Sequence, residues 1–229
     1  MNAAIQKPGR NYQAIAGRIA ELIRSKYEAG DKLPGERDLA KRFHSNRPTV
    51  REAVVSLEIA GLVEVRMNSG IYVLDRPSGE HGTDQGSPPF EILRARIVVE
   101  PEVAALAAKH ATSADFAKME HGIERMREEH ALNNPTEQGD RIFHLGIAGG
   151  SGNAMLARIV DMLWDNQQRS HLWLRADAYS RSAEFREFWI DDHLNVLDAI
   201  RQRKAEAAKA AMTQHLDHTW QALLAAGQS

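Results

Sequence analysis

Residues 33–51, LPGERDLAKRFHSNRPTVR, constrain the fold of this chain more than any other stretch. Their spacing predicts two short helices joined by a tight turn. Glu36 to Phe43 forms the first, with Leu39, Ala40 and Phe43 on its apolar side, and His44-Ser45-Asn46 forms the turn. The second begins at Arg47-Pro48, where a first-turn proline has no intrahelical N–H bond to lose. Val50, Val54 and Leu57 then fall at i, i+4 and i+7, one buried stripe. Asn46, Arg47, Thr49 and Arg51 supply hydrogen-bond donors, with no acid among them until Glu52. Such a pair makes a helix-turn-helix whose second helix can enter a DNA major groove. The alternative is a solvated helical hairpin carrying two unused arginines.

The next residues favour the first reading. Gly61 to Arg66 alternates like a strand, Asn68-Ser69-Gly70 is a turn, and Ile71-Tyr72-Val73 is a second strand. A hairpin directly after a helix-turn-helix makes a winged helix, with a wing tip at Asn68 to Gly70 that can reach a minor groove or a phosphate. LPGERDLA, RPTVREAV, LEIAGLVEV and SGIYV together resemble the DNA-binding domain of GntR-type bacterial transcription regulators, from about Tyr12 to Val73. The chain departs from that pattern at His44-Ser45-Asn46, where the family usually has Gly-Val-Ser. The resemblance implies that Arg47 and Arg51 read or anchor to guanines. Asn46 and Thr49 add base or phosphate contacts, and Arg37 and Gly70 help to position the module.

Charge is distributed unevenly. Residues 1–76 hold 13 Lys and Arg against 9 Asp and Glu, whereas the rest of the chain holds 16 against 22. A basic first third suits a module that displaces condensed counterions from DNA. The chain has no cysteine, which excludes disulfides and thiolate ligands, so any metal site must use nitrogen and oxygen. No run of 18 apolar residues occurs, and Met1 to Arg10 does not read as a signal peptide. The expectation is a cytoplasmic protein that makes no use of a membrane.

After Val73 the composition changes. Asp75 to Pro89, DRPSGEHGTDQGSPP, is rich in turn-formers and reads as a linker. The expected organisation is a winged helix-turn-helix over 1–76, a linker over 77–89 and an all-α antiparallel bundle over 90–229. Six helices are expected in the bundle: Phe90 to His110, Ser113 to about Leu132, one opened by Asn134-Pro135 with Glu137, Asn153 to about Arg175, Ser182 to Ile200, and Lys204 to about Ala225.

The bundle carries a constellation. Asp140 and His144 stand four apart and share a helix face. His193 lies at i−4 from Leu197, which turns it inward, and His215 shares a face with Ala208, Ala211 and Ala222. A carboxylate and three imidazoles aimed at one interior can hold a divalent metal, with zinc, nickel or manganese all fitting. The alternative is ordinary histidines and a helix-capping Asp–His pair.

RARIVVEPEVAALAA, DRIFHLGIAGGSGNAML, DDHLNVLDAI and AKAAMTQHL resemble the FadR C-terminal (FCD) domain, which accompanies this winged helix in the FadR subfamily. The resemblance implies metal ligands at Asp140, His144, His193 and His215, with His218 one turn from the last as the ambiguity. It also implies a carboxylate effector held by Arg96, with Arg94 and Arg175 as further candidates. For Arg96 the alternative is a surface salt bridge with Glu100. FEILRAR and the segment from Trp164 to Arg175 are similar to hexuronate-responsive regulators of the ExuR/UxuR type. The function expected is a homodimeric, metabolite-responsive repressor, released from a double-stranded operator by a small carboxylate such as a sugar acid bound beside zinc. The alternative is a metal-dependent hydrolase or lyase acting on a small carboxylate.

Overall fold

Hydrophobic residues three and four apart start the first helix, α1 (Asn11–Lys26), whose Tyr12, Ile15, Ile19, Leu22 and Ile23 are all buried. The computed structural model describes residues 11–66, 69–75, 88–132, 137–170, 173 and 183–226. The chain divides into two compact units.

In the first unit, α2 (Glu36–Phe43) and α3 (Arg47–Ile59) form the expected helix-turn-helix. Leu39, Phe43, Val50, Val54 and Leu57 are buried, which is the apolar stripe predicted from spacing. The turn is made by His44 in the left-handed region (φ 52°), a conformation that non-glycine residues adopt sparingly. Asn46 then caps α3, its Oδ1 accepting the Thr49 N–H at 2.8 Å. Strands β1 (Val63–Arg66) and β2 (Gly70–Val73) pair antiparallel with Val63 opposite Val73. Residues 30–33 add a third edge, through N–H bonds from Gly30 to the Val73 carbonyl and from Leu33 to the Ile71 carbonyl, both 2.8 Å. Gly70 sits at φ +130°, a backbone conformation that residues with a side chain rarely adopt, so the wing needs a glycine at this point.

The second unit is helical. It is built from α4 (Pro89–His110) from Glu91 on, α5 (Ser113–Ala131), α6 (Gln138–Gly150), α7 (Ala154–Arg169), α8 (Ala183–Arg201) and α9 (Ala205–Ala226) as far as Gln221. At the start of α5 the Asp115 carboxylate accepts from both the N–H (2.9 Å) and the hydroxyl (2.7 Å) of Thr112. Helix α6 packs on α5 through glycine, Gly139 facing Gly122. Buried residues of α6 also include Phe143, His144 and Ile147.

Two expected boundaries are corrected. Helix α6 starts at Gln138, with Glu137 as its N-cap at φ 51°, rather than running from Pro135 with Glu137 inside it. The Glu137 carboxylate accepts from Gln167 Nε2 on α7 at 3.3 Å. Helix α7 ends at Arg169, where Ser170 leaves helical geometry and its N–H turns back to the Gln167 carbonyl at 3.1 Å, short of the expected Arg175. Asn68, most of the linker with His81, Asn134, Pro135, Arg175 and Ser182 lie outside the described residues.

Candidate metal centre and nucleic-acid interface

Three helices bring the four expected ligands together. Helix α6 supplies Asp140 and His144, α8 supplies His193 and α9 supplies His215, and one ligand atom of each lies within 4.8 Å of all the others. The three imidazoles are buried, with His193 and His215 ring centroids 4.3 Å apart. His218 stands outside this set: its Nδ1 lies 2.7 Å from the Asp192 carboxylate.

The hydrogen bonds test whether the residues suit a cation. His193 Nδ1 lies 2.6 Å from the Trp189 carbonyl oxygen, and His144 Nδ1 lies against the Glu100 carboxylate. Both acceptors require an N–H at Nδ1, so each neutral ring turns a bare Nε2 lone pair inward. Both Nε2 atoms meet the same carboxylate oxygen, Asp140 Oδ1, at 3.2 Å from His144 and 2.9 Å from His193. Two lone pairs converging on a carboxylate repel one another unless protons or a cation lie between them. Two further protons would add two imidazolium charges to a buried space that already holds Arg96. A divalent cation answers all three groups at once, and the outward Nδ1 contacts supply the orienting partners that metal-bound histidines generally have. The donor set fits a divalent ion.

Electrostatics agree at Asp140 and His215, whereas at His144 a cation must displace a proton. Burial would raise the Asp140 carboxyl, but the adjacent His144 and His193 rings, which favour its ionised form whenever they carry a proton at Nε2, outweigh it and hold the group well below its ordinary range. Burial, with His193 alongside, pushes the His215 imidazole down to about 3, the neutral form a metal ligand needs. For His144 burial pulls downward, yet Glu100 and Asp140 prevail and raise it.

Arg96 lies beside this cluster and is 2% exposed. Its Nε donates to Glu100 Oε1 at 2.6 Å, its Nη1 donates to Gln167 Oε1 at 2.9 Å, and its guanidinium lies 4.3 Å from the Trp164 ring centroid. The Arg96–Glu100 pair therefore forms as the surface alternative required, but in the interior. Burial would raise the Glu100 carboxyl; Arg96 and His144 hold it at about 2. Arg94, two residues earlier, is half-buried and lies over the Trp220 ring. Sequence reasoning missed Glu100 and Gln167 as parts of the site. Glu100 had one signal, its i+4 spacing from Arg96, and Gln167 had none.

On the winged helix, Arg37 and Arg47 are exposed, at the first turns of α2 and α3. Asn46 is exposed but its Oδ1 is committed to the cap. Arg51 Nε and Nη2 donate to the two Glu36 carboxylate oxygens at 3.0 and 3.2 Å. This leaves three of its five N–H bonds for another acceptor. In the wing, Arg66 stacks 4.4 Å over Tyr72, whose hydroxyl lies 2.7 Å from Ser69 Oγ.

Comparison with known proteins bears on both sites. Residues 11–73 match the bacterial regulatory proteins of the gntR family, and residues 91–218 match the FCD domain. The chain is 38% identical over 225 residues to the Uxu operon transcriptional regulator of Escherichia coli K12, covering 94% of this chain and 87% of that one. It is 35% identical over 222 residues to the Exu regulon transcriptional regulator of the same strain, covering 94% and 85%. Among solved structures, E. coli McbR/YncC aligns with a TM-score of 0.50 at 21% identity, over 93% of this chain and 96% of that one, a likeness of fold.

Proposed function

The chain belongs to the GntR family of bacterial regulatory proteins and carries an FCD domain, so it is a DNA-binding transcription regulator and not an enzyme, and we propose that a small carboxylate bound beside a divalent metal sets its affinity for DNA. The observation that carries this reading is the buried Arg96 guanidinium lying against the cluster of Asp140, His144, His193 and His215. A guanidinium binds a carboxylate through two parallel N–H bonds. The metal, zinc in this reading, supplies a Lewis-acidic seat for another ligand oxygen, and the four ligand side chains hold it. Arg94 and Arg175 are further contacts for a sugar acid, of the kind that regulators of Uxu and Exu type would sense.

At the other end, Arg51 and Arg47 contact guanines or backbone from α3, Asn46 and Thr49 border them, and Arg37 and Gly70 fix the module on phosphates. A homodimer places two such helices in successive major grooves of an operator. The effector weakens operator binding to the extent that it prefers the chain conformation with lower DNA affinity, and the protein then acts as a repressor.

Fluorescence anisotropy of the zinc-loaded protein on DNA from upstream of its own gene tests this. Salt-sensitive binding, weakened by one sugar acid and insensitive to that acid in Arg96→Ala, is expected. Binding indifferent to every carboxylate tested would overturn the effector assignment while leaving the regulator.

A further inference from the structure

The outer face of the wing gathers hydrogen-bond donors that the recognition helix does not use. Alternation along its strands buries Leu33, Val63, Ile71 and Val73, so Lys32, Glu64, Arg66 and Tyr72 share the opposite face. Tyr72 is its centre. It stands opposite Glu64 on one side and Lys32 on the other. The Arg66 guanidinium lies 4.4 Å over its ring, and Lys32 Nζ lies 5.9 Å from the ring centroid. The Lys32 stem is laid along Gly70: a Cβ there would fall 2.7 Å from Lys32 Cε and 3.4 Å from Nζ. A lysine from outside the hairpin thus brings its ammonium to the end of the wing.

The acids around this face leave its donors available. Glu64 accepts from Arg66 Nε at 2.8 Å, which leaves N–H bonds of the guanidinium to offer. Asp31, next to Lys32, accepts the Glu28 N–H at 2.8 Å, and Glu58 is turned to the Val65 N–H at 2.7 Å. Lys32 is exposed and, among the described residues, has no ion-pair partner. Ser69 Oγ and Tyr72 Oη stand 2.7 Å apart. Each brings one O–H and their contact uses one, so the other can donate outward.

We propose that Lys32, Arg66 and the Ser69–Tyr72 hydroxyl pair form a seat for one DNA backbone phosphate, a contact that raises affinity without reading sequence. The proposal rests on the reading above that sets Gly70 against the DNA backbone. A phosphodiester has two free oxygens; the ammonium takes one, and the guanidinium with the hydroxyl takes the other. The Tyr72 ring holds both cations near its face, so less side-chain freedom is lost when DNA arrives.

Fluorescence anisotropy of the full chain tests this over a salt series, on the duplex from upstream of its own gene and on a scrambled duplex of equal length. Lys32→Ala should weaken both duplexes by the same factor and reduce the salt slope by about one. Its deficit against wild type should shrink about 3.5-fold between 50 and 200 mM salt. Lys32→Arg should keep the slope, and Glu64→Gln, which leaves Arg66 uncompensated, should restore it in the Lys32→Ala background. Lys118→Ala removes an exposed lysine from α5 in the helical unit and should leave the slope as it is. If Lys32→Ala melts below wild type, Lys32→Met, which keeps most of the stem, carries the same expectation. A wild-type slope in Lys32→Ala and Lys32→Met, a changed ratio between the duplexes, or a slope that Glu64→Gln does not restore overturns the seat and spares the recognition helix. A wild type that binds neither duplex overturns the DNA placement and the seat with it.

Discussion

Replacing Gly139 by alanine should destabilise the bundle and loosen its metal centre together. Gly139 is buried where α6 crosses α5. A Cβ at this position would lie 2.4 Å from the Met126 backbone nitrogen, 2.7 Å from the Gly122 carbonyl oxygen and 2.7 Å from Met126 Cγ. Gly122 shows the reciprocal relation, its Cβ falling 2.6 Å from the Phe143 backbone nitrogen and 2.9 Å from the Gly139 oxygen. Ordinary contacts of this kind lie at 3.4–4 Å, so the shortfall is about 1 Å, and two of the three atoms in the way are backbone. No rotamer change relieves it; the two helices must part. Overpacking a core costs about 1–3 kcal/mol, and a backbone clash belongs at the upper end. Alanine returns at most about 1 kcal/mol of helix propensity, so the net is about 2 kcal/mol of destabilisation. For a chain of this size that lowers the melting midpoint by about 4–8 °C.

Gly149 on the same helix is the control. It is exposed, and its Cβ would meet nothing nearer than Asp115 Oδ1 at 3.7 Å, so Gly149→Ala should be neutral or stabilising by up to about 1 kcal/mol. Three of the four tryptophans, Trp164, Trp189 and Trp220, belong to the helical unit, so a melt followed by tryptophan fluorescence reports mainly on it. Asp140 and His144 follow Gly139 by one and five residues, and a displacement of α6 by about 1 Å should weaken zinc binding as well, since sites of this kind tolerate only about 0.5 Å. If Gly139→Ala melts and binds zinc like Gly149→Ala, the close approach of α5 and α6 is not what holds these elements.

Other perturbations address separate parts of the molecule. Arg51→Ala should lose about 1–3 kcal/mol on the operator and relax discrimination at one base position, whereas Arg47→Ala, if it meets a phosphate, should reduce the salt slope by about one; anisotropy over a salt series with single-base operator variants separates them. Glu36→Gln should cost discrimination more than non-specific affinity, and an unchanged base preference would show that Glu36 does not aim Arg51. Zinc should raise the melting temperature of the wild type, because binding to the folded state alone stabilises it, and His193→Ala should abolish that rise; a retained zinc-dependent rise would remove His193 from the ligand set. Burial raises the Glu58 carboxyl, and the Val65 N–H that donates to it at 2.7 Å only partly offsets this. The folded chain then binds a proton that the unfolded chain releases, so ionised Glu58 detracts from stability at pH values above its raised pKa. That deficit fades as pH falls towards 4.5. Glu58→Gln should therefore raise the stability of the winged helix at pH 8 and change it little at pH 4, as read by circular dichroism melts.

The winged helix was legible because its signals are local. Pro48 marks the first turn of α3, Asn46 caps it, and the stripe of Val50, Val54 and Leu57 sets its buried face. The left-handed turn residue was less so, since His44 stands where glycine would announce it. In the bundle, Asp140 and His144 could be paired by spacing; His193 and His215 lie on other helices, and their inward faces made them candidates that the family resemblance then strengthened. Arg96 and Glu100 could be paired by spacing too. Their burial could not be read, because α4 has apolar residues around most of its circumference and no clear solvent face. The start of α6 was not legible because nothing in the sequence announces that Glu137 takes a positive φ and stands before the helix.

The two arginines proposed to recognise ligands, Arg51 and Arg96, are each held by an acid along the Nε edge. Glu36 takes Nε and Nη2 of Arg51 from the neighbouring helix, and Glu100 takes Nε of Arg96 from one turn onward in the same helix. In each case further N–H bonds remain to be offered, in a plane the acid has already chosen, so less side-chain freedom is lost when a ligand binds. The environments differ and so must the energetics. The Arg51 and Glu36 side chains are 40% and 23% exposed, so their attraction is screened, contributes little to stability and weakens with salt. Arg96 and Glu100 are sealed at 2% each, so removing either partner strands a buried charge. Loss of Glu36 should therefore appear in DNA recognition and its salt dependence, with the fold intact, while loss of Glu100 should reach metal affinity and stability together.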